Sequence, residues 1–361
     1  MADLDAPDTL ELDAQGLLRG MDDSAAAIGE SRAAAADLEI PFPSDAVRNA
    51  VLCGMGGSAI AGDIVAAAFS ERFLKPFAVV RDYYLPGWVD ENTLVIVSSY
   101  SGTTEETLTC ALEATERRAL VVGISSGGKV AGEYASQGIP VVPVPGGLQP
   151  RAALLRMLPP VVVLLERMGV IAPSGADLDE AAQVVQAGVE ALRPEVPTHQ
   201  NPAKQLALQL HGHVPLIWGS EVSSAVARRW KTQINENAEV PAFWSDLPEV
   251  DHNEIVGFQG VGELGRLLKV VNLRDPRNHR QVQRRFDLTT ELVEPSTAGV
   301  ITVTAEGGSP LARALDLVVL GDYTALYMAL LRGIDPGPVE IIESLKGRLA
   351  TSPFGRGGQP G

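Results

Sequence analysis

The feature that most constrains this fold is an alternation of short apolar runs with alanine-rich helical segments. In the first half the apolar runs lie at 50–53, 77–80, 93–98, 119–124 and 139–144. Helical segments at 58–69, 104–113 and 129–136 lie between them. Strands that are apolar along their whole length and alternate with helices are typical of a parallel sheet covered on both faces. The pattern predicts an α/β/α sandwich.

The same alternation resumes after a proline-rich stretch, which predicts a second α/β domain. Strands are predicted at 214–219, 268–273 and 299–304, and helices at 223–238, 277–292 and 310–331. A length of 361 residues suits two domains of ordinary size. The predicted order is an N-terminal helical segment (1–40, with one helix over 8–37), a first domain with trailing helices (41–192), a linker (193–202), a second domain (203–334), a C-terminal helix (335–350) and a flexible tail (351–361).

Charge excludes two classes of partner. The chain has 45 acidic and 29 basic residues, for a formal net charge of −16. That field repels nucleic acid and anionic lipid, so neither is expected as a partner. Residues 1–19 lack a basic segment followed by an apolar stretch, and the most apolar stretch, 152–165, is too short to span a membrane. A cytoplasmic protein is expected, with Cys53 and Cys110 as buried thiols.

A glycine-rich loop follows the first predicted strand and opens a helix. Its sequence, Gly54-Met55-Gly56-Gly57-Ser58-Ala59, can be written as the G-x-G-x-x-A form of the dinucleotide-binding fingerprint. An acidic residue is then expected about 20 residues further on, and Asp82 comes late for that role. An NAD-dependent dehydrogenase stays open as an alternative, and so does a tight turn that binds no ligand.

Hydroxyl side chains are concentrated in the next strand-to-helix loop, residues 99–104, which we call the phosphate loop. It contains Ser99, Ser101, Thr103 and Thr104, and Gly102 permits close approach of the backbone. Hydroxyl groups and the amides of a helix N-terminus can bind a phosphate. Helix capping is the alternative, but a capping box needs one such hydroxyl and this loop supplies four. The loop predicts a phosphate site.

Both loops together resemble the phosphosugar-binding loops of the SIS (sugar isomerase) domain family. The resemblance rests on Gly-Met-Gly-Gly-Ser at 54–58 and Ser-Tyr-Ser-Gly-Thr-Thr-Glu-Glu-Thr at 99–107. It implies two SIS-type domains and a sugar phosphate as ligand. It also implies which residues hold the phosphate, namely Ser58, Ser99, Ser101 and Thr104, with Gly56 and Gly57 supplying loop backbone. The family usually has Asn where Thr103 stands.

Two polar segments in the second half carry candidates for proton transfer. Glu236 lies between two asparagines near a predicted helix end, and His252 follows Asp251 just before an apolar turn. An aldose–ketose isomerase needs a base for the C1–C2 proton and a cation near the developing enediolate. A lone Glu at a helix end is usually a solvated residue, and His252 with Glu254 equally suggests half of a metal site.

These segments, with 241–244 and 342–346, resemble the bifunctional phosphoglucose/phosphomannose isomerases of archaea and bacteria. The resemblance implies that Glu236 is the base, that His252 and Lys346 assist ring opening, and that Arg151 steadies the enediolate. It further implies a homodimer whose active site lies at the subunit interface, with the histidine supplied by the neighbouring subunit, and a reaction without metal or cofactor. The family usually has Asn at Asp251; a carboxylate there is expected to favour the His252 imidazolium.

The predicted function is interconversion of fructose 6-phosphate with glucose 6-phosphate, mannose 6-phosphate or both, through a cis-enediolate. One alternative is an isomerase of another sugar phosphate on the same scaffold. Another is a non-catalytic SIS sensor of sugar phosphates, which would keep the phosphate loop without needing Glu236. The dehydrogenase is the third.

Overall fold

The computed structural model describes residues 2–351, and its first half contains a sheet of five parallel strands. The strand order is β2-β1-β3-β4-β5, and every neighbouring pair is parallel. The strands are β1 (Asn49–Cys53), β2 (Phe77–Val80), β3 (Thr93–Ser98), β4 (Leu120–Ser125) and β5 (Val141–Pro143). All six residues of β3 are buried, as expected of a strand at the centre of a sheet covered on both faces.

A second sheet of four parallel strands has the order β7-β6-β8-β9. Its strands are β6 (Val214–Gly219), β7 (Phe243–Asp246), β8 (Leu268–Arg274) and β9 (Val300–Thr304). The predicted α/β class with two parallel sheets is confirmed. Strand β7 was not among the predicted strands. It is a four-residue edge strand whose side chains are all at least partly exposed, so it lacks the apolar run that marks the other strands.

The first half contains α1 (Pro7–Leu10), α2 (Ser24–Asp37), α3 (Gly56–Ala68), α4 (Glu105–Glu116), α5 (Leu154–Arg167) and α6 (Gly175–Leu192), and Val130–Tyr134 forms a π-helix. Helices α2, α3, α4 and α5 pack on strands of the first sheet. The single helix predicted over 8–37 is wrong. The Asp13 carboxylate accepts the N–H groups of Leu17 and Leu18, both at 2.8 Å, and this turn separates α1 from α2.

The second half contributes α7 (Pro202–Leu210), α8 (Val222–Asn237), α9 (Glu254–Gly257), α10 (Arg280–Val293), α11 (Pro310–Leu331) and α12 (Glu340–Thr351). Helix α11 is long and apolar enough to cross a membrane, but 89% of its most apolar window is buried in the protein. It packs against α6, α7 and α8, so it is a core helix here. Cytoplasmic location and the domain boundaries stay predictions, and residues 352–361 of the predicted tail lie outside the described residues.

The topology places the two candidate loops side by side. Strands β1 and β3 are parallel neighbours, so the loops that follow them leave the same edge of the sheet. Gly54 permits their close approach, because a Cβ there would lie only 2.8 Å from the Ser98 carbonyl oxygen. Helices α3 and α8 also pack together, and Asn237 at the C-terminal end of α8 accepts a hydrogen bond from Arg151.

Candidate active site

The phosphate loop is folded on its own hydroxyl groups. Ser99 Oγ lies 3.1 Å from Thr104 Oγ1 and accepts the N–H of Gly102 at 3.1 Å. Ser101 Oγ accepts the N–H of Thr103 at 3.3 Å. Thr104 is the N-cap residue of α4, yet its side chain makes no capping hydrogen bond. The Thr104 hydroxyl is therefore not used as a cap, and the first amides of α4 remain suited to an anion.

The glycine loop joins the phosphate loop to a third segment. Ser58 is buried and its Oγ accepts the N–H of Tyr100 at 3.1 Å, which leaves the hydroxyl proton to donate. Gly56 has φ +50°, a conformation that favours glycine at the start of α3. A Cβ at Gly57 would lie 2.9 Å from the Pro150 carbonyl oxygen. The glycine loop thus packs directly on the segment that carries Arg151.

Arg151 is a buried cation held by fixed acceptors. Arg151 is only 5% exposed, and its Nε donates to Asn237 Oδ1 at 2.6 Å. Nη2 donates to the Gly337 carbonyl oxygen at 2.7 Å. Burial lowers the pKa of Arg151, and the negative charge of Glu236 acts in the opposite direction. The guanidinium is therefore ordered before any ligand binds.

Sequence reasoning missed a second layer of buried polar residues behind Arg151. Arg229 bonds both carboxylate oxygens of Asp322, at 2.9 and 2.6 Å, and also donates to the Arg151 carbonyl oxygen at 3.0 Å. Gln233 Nε2 donates to Asp322 Oδ1 at 2.9 Å. Arg229, Gln233 and Asn237 recur every fourth residue on α8, which places them on one helix face. That polar spacing was a signal that could have found them.

Glu236 lies in the last turn of α8, as predicted, and is half-buried. It lines a cavity of about 780 Å³ together with Pro241, Asp335, Val339 and Ile342. Burial raises the pKa of the Glu236 carboxyl, and the positive charges nearby lower it again, in the order Arg151, Arg229, Lys231 and Lys346. The site therefore combines a carboxylate that binds protons more readily than usual with a buried cation.

Lys346 and His252 differ in their relation to Glu236. Lys346 is exposed on α12, but its charge acts on Glu236. His252 is exposed at the end of a 3-10 helix, Glu249–His252. Within residues 2–351 it makes no hydrogen bond or ion pair with Glu236, Arg151 or Lys346. Among the described residues Arg151 and Lys346 thus act on the Glu236 carboxyl through their charges, whereas no hydrogen bond or ion pair joins His252 to this group.

The polar neighbours of His252 are engaged elsewhere. The Asp251 carboxylate accepts from Arg285 at 2.7 Å and from Thr289 at 2.6 Å, both on α10. Both oxygens of Asp251 are thus engaged by α10, and the effect expected of this carboxylate on His252 stays a prediction. The Glu254 carboxylate accepts from Trp218 Nε1 and Ser245 Oγ. Among the described residues no group of three or more His, Cys, Asp or Glu side chains is placed to hold a metal ion.

Comparison with known proteins gives matches over both halves. The SIS domain model matches residues 46–139, and the model of the bacterial phospho-glucose isomerase C-terminal SIS domain matches 199–349. The bifunctional phosphoglucose/phosphomannose isomerase of Caldicellulosiruptor bescii is 38% identical over 87% of this chain and 93% of its own length. Its Aquifex aeolicus counterpart is 37% identical over 83% of this chain and 89% of its own length. The chain belongs to the bifunctional phosphoglucose/phosphomannose isomerase family.

A solved structure supports the fold of this isomerase. A glucose-6-phosphate isomerase like protein from Thermus thermophilus superposes with a TM-score of 0.65, covering 95% of this chain and all of that one. Their sequence identity is 23%, so this likeness concerns the fold alone. Family membership confirms the predicted enzyme class, an intramolecular oxidoreductase acting as an isomerase, and replaces the dehydrogenase and sensor alternatives. The individual site residues stay predictions.

Proposed function

We propose that this isomerase interconverts fructose 6-phosphate with glucose 6-phosphate and mannose 6-phosphate through a cis-enediolate. The observation that carries the proposal is an unbroken set of contacts from the phosphate loop to Glu236. Tyr100 in that loop bonds Ser58, the adjacent Gly57 packs on Pro150, and Arg151 bonds Asn237 beside Glu236. The curated relatives that cover most of the chain carry both isomerase activities in their names.

The protein holds the substrate by its phosphate group. Ser99, Ser101 and Thr104 donate to its oxygens, with Ser58 from the glycine loop, and the N-terminal amides of α4 add their partial positive charge. Such local donors can bind one phosphate in a protein of net charge −16, because the long-range field is screened by salt. The sugar carbons then extend toward Arg151 and Glu236.

Proton transfer falls to Glu236. Its carboxylate takes a proton from C1 of open-chain fructose 6-phosphate and returns it to C2, while the hydroxyl proton passes from O1 to O2. The carboxylate is regenerated in each cycle. The raised pKa suits both steps, because a catalytic group works best when its pKa approaches the operating pH. The face of C2 that receives the proton decides between glucose and mannose 6-phosphate.

Arg151 stabilises the charge that develops on the enediolate oxygens. Its Nε and Nη2 are bonded to protein acceptors, so Nη1 is the nitrogen we assign to the substrate. A donor fixed before the reaction costs no reorganisation when charge develops, which is the main advantage of such a site. Because proton transfer and charge stabilisation both fall to protein groups, we propose that no metal is required. Activity should survive EDTA; loss on chelation with recovery on adding zinc would contradict this.

The position of His252 supports a homodimer with shared active sites. Within the described residues of one chain His252 makes no hydrogen bond or ion pair with Glu236 and lies exposed, so we propose that a second copy supplies it beside Lys346. Mixing two inactive variants tests this. Glu236→Gln and His252→Ala subunits, unfolded and refolded together, should form mixed dimers with one intact site and recover about a quarter of wild-type activity. No recovery, with mixed dimers demonstrated by mass, would contradict the shared site.

The assay that tests the function follows both products from fructose 6-phosphate. Glu236→Gln should lower kcat for both by roughly 100- to 10,000-fold, the range for loss of a general base. Binding of fructose 6-phosphate, measured by calorimetry, should persist. Glu116→Gln is the control, because Glu116 is an exposed glutamate at the end of α4. Full activity in Glu236→Gln would remove it as the base; tight binding by the wild type with neither product formed would refute the reaction.

A further inference from the structure

Tyr100 stands between two phosphate-loop serines but directs its side chain away from them. The residue is only 4% exposed and belongs to the main hydrophobic core. Its hydroxyl donates to the Pro145 carbonyl oxygen at 3.1 Å and accepts the N–H of Leu148 at 3.1 Å. The phenol therefore bridges both ends of segment 145–148.

The backbone of Tyr100 is hydrogen-bonded to neighbouring loops rather than to segment 145–148. Its N–H donates to Ser58 Oγ at 3.1 Å, and its carbonyl oxygen accepts from Ser126 Oγ at 2.7 Å. Ser126 follows β4, so this one residue is tied to the loops after β1 and β4 as well as to its own loop after β3. Tyr100 therefore links these three loops to segment 145–148 through its backbone and its phenol.

Segment 145–148 needs such a tie because it contains Gly146 and Gly147. Gly147 has φ +90°, and two consecutive glycines leave the backbone free unless something holds it. Arg156 holds the first part by donating to the carbonyl oxygens of Pro145 and Gly146, at 3.0 and 2.7 Å. The Tyr100 hydroxyl holds the last part, Leu148, three residues before Arg151.

We propose that Tyr100 is a positioning residue that couples occupation of the phosphate loop to the placement of Arg151. The inference rests on the proposed function, which gives Arg151 the enediolate. Tyr100 touches neither the phosphate nor the reacting carbons through its side chain. Through these contacts, binding of the phosphate fixes the position of Arg151 near the reacting carbons. Binding energy from a remote part of the substrate thereby stabilises the transition state.

Tyr100→Phe is the test, because it keeps the ring and removes the two hydroxyl contacts. We expect kcat to fall roughly tenfold while KM for fructose 6-phosphate stays within about twofold, since small displacements of a catalytic group act on the transition state. The control is Tyr134→Phe, which removes another buried tyrosine hydroxyl bonded to a backbone carbonyl, that of Leu108, in the same half. It should lower the melting temperature by a similar amount with kcat unchanged.

A double-variant cycle with Arg151→Lys asks whether Tyr100 acts through Arg151. The two losses in kcat should not multiply, because a misplaced Arg151 and a shortened one disable the same contact. Three results would overturn the proposal: unchanged kcat in Tyr100→Phe, a raised KM with unchanged kcat, or fully multiplicative losses in the double variant.

A second measurement is independent of turnover. Hydrogen exchange of residues 145–151 is compared with and without inorganic phosphate, used as the probe. Phosphate should slow exchange there in the wild type and in Tyr134→Phe, but not in Tyr100→Phe. Equal slowing in all three would overturn the coupling even if the isomerase activity is confirmed. An inactive wild type that shows the expected exchange pattern would refute the proposed function and leave the coupling standing.

Discussion

Each half has a crevice at the carboxyl ends of two parallel strands, β1 and β3 in the first half and β6 and β8 in the second. The two crevices differ in the groups that lie at the N-terminus of the adjoining helix, α4 or α10. In the first half the Thr104 side chain leaves the start of α4 uncapped. In the second half His279 caps α10 through its ring, which accepts the N–H of Gln281 at 3.2 Å. The Glu221 carboxylate there accepts the N–H of His279 at 3.4 Å.

A carboxylate also stands at the end of β8. Asp275 is buried and pairs with Arg313 at 2.8 Å. A phosphate entering the second crevice would meet Asp275 and Glu221, whereas in the first it meets serine and threonine hydroxyls. Two halves with the same parallel βαβ arrangement thus differ in the ligand that they suit, because the polar side chains at the strand ends decide it.

The second half contributes its functional residues from the C-terminal end of α8. Helix α8 begins at the second crevice, but its functional residues are in its last turns, where Asn237 holds Arg151 and Glu236 lines the cavity. The first half therefore supplies phosphate recognition at a helix N-terminus, and the second supplies the base at a helix C-terminus. Each of the following predictions tests one side of this division.

Among the variants that test this division, removal of two phosphate-loop hydroxyls should have the largest effect. Ser101→Ala with Thr104→Val should raise KM for fructose 6-phosphate by at least about 100-fold, because each hydrogen bond to a charged group contributes about 1.5–3 kcal/mol. Steady-state kinetics measure this. Ser223→Ala in the second crevice is the control: its buried hydroxyl donates to the Leu273 carbonyl oxygen, so stability should fall with KM unchanged. A similar rise in KM for the control would contradict the assignment of phosphate binding to the first crevice alone.

Disturbing the contact that positions Arg151, which bonds Asn237 of the second half, should have the next largest effect. Gly57→Ala places a Cβ 2.9 Å from the Pro150 carbonyl oxygen and displaces Arg151, so kcat should fall about tenfold. Gly132→Ala serves as the control, since a Cβ there meets open space. The comparison is made by kcat in variants with matching circular dichroism. Unchanged kcat in Gly57→Ala would mean that the glycine loop does not set the position of Arg151.

Charge around Glu236 should control the acid limb of the pH profile. Lys346 lowers the pKa of Glu236, so Lys346→Met should raise it. Because the base works deprotonated, the acid limb of kcat/KM should then move to higher pH.

Lys231→Met is the matched charge variant, since Lys231 also lowers the pKa of Glu236. It should move the acid limb in the same direction without lowering the plateau of kcat, which only Lys346→Met should lower if Lys346 touches the substrate. An acid limb that stays in place or moves to lower pH in both variants would contradict the assigned base.

The smallest effect is expected in the second crevice. Glu221 has φ +51°, a strained conformation for a side chain with a Cβ. Glu221→Gly should relieve the strain by about 1 kcal/mol and raise the melting temperature by roughly 1–3 °C. Isomerase kinetics should not change, because this crevice holds no substrate in our proposal. A shift in KM beyond about twofold would show that the second crevice takes part.

Much of the fold could be predicted because its signals are local. Strands β2, β3 and β6 and helix α11 begin and end where the apolar runs do. Prediction failed where tertiary contacts replaced those signals. Strand β7 is short and partly exposed, and the N-terminal segment turns at Asp13 through side-chain hydrogen bonds that periodicity does not report.

The candidate site divides in the same way. The hydroxyls at 99–104 are neighbours in sequence, so one loop was enough to predict a phosphate site. Arg229 and Asp322, 93 residues apart, form the ion pair behind Arg151, and no local pattern links them. That His252 makes no hydrogen bond or ion pair with Glu236 in the described part of the chain could likewise not be read from the sequence.

The amino-acid sequence by itself determined the parallel α/β class, the phosphate loop and, through its resemblance to a family, the residues proposed for catalysis. The tertiary structure decided which of them meet. Packing of the glycine loop on Pro150 and of α3 on α8 brings Arg151 to Glu236. Burial in that cavity then raises the pKa of Glu236. Periodicity records which face of an element is apolar, but burial and charge at a site depend on elements that are distant in the chain.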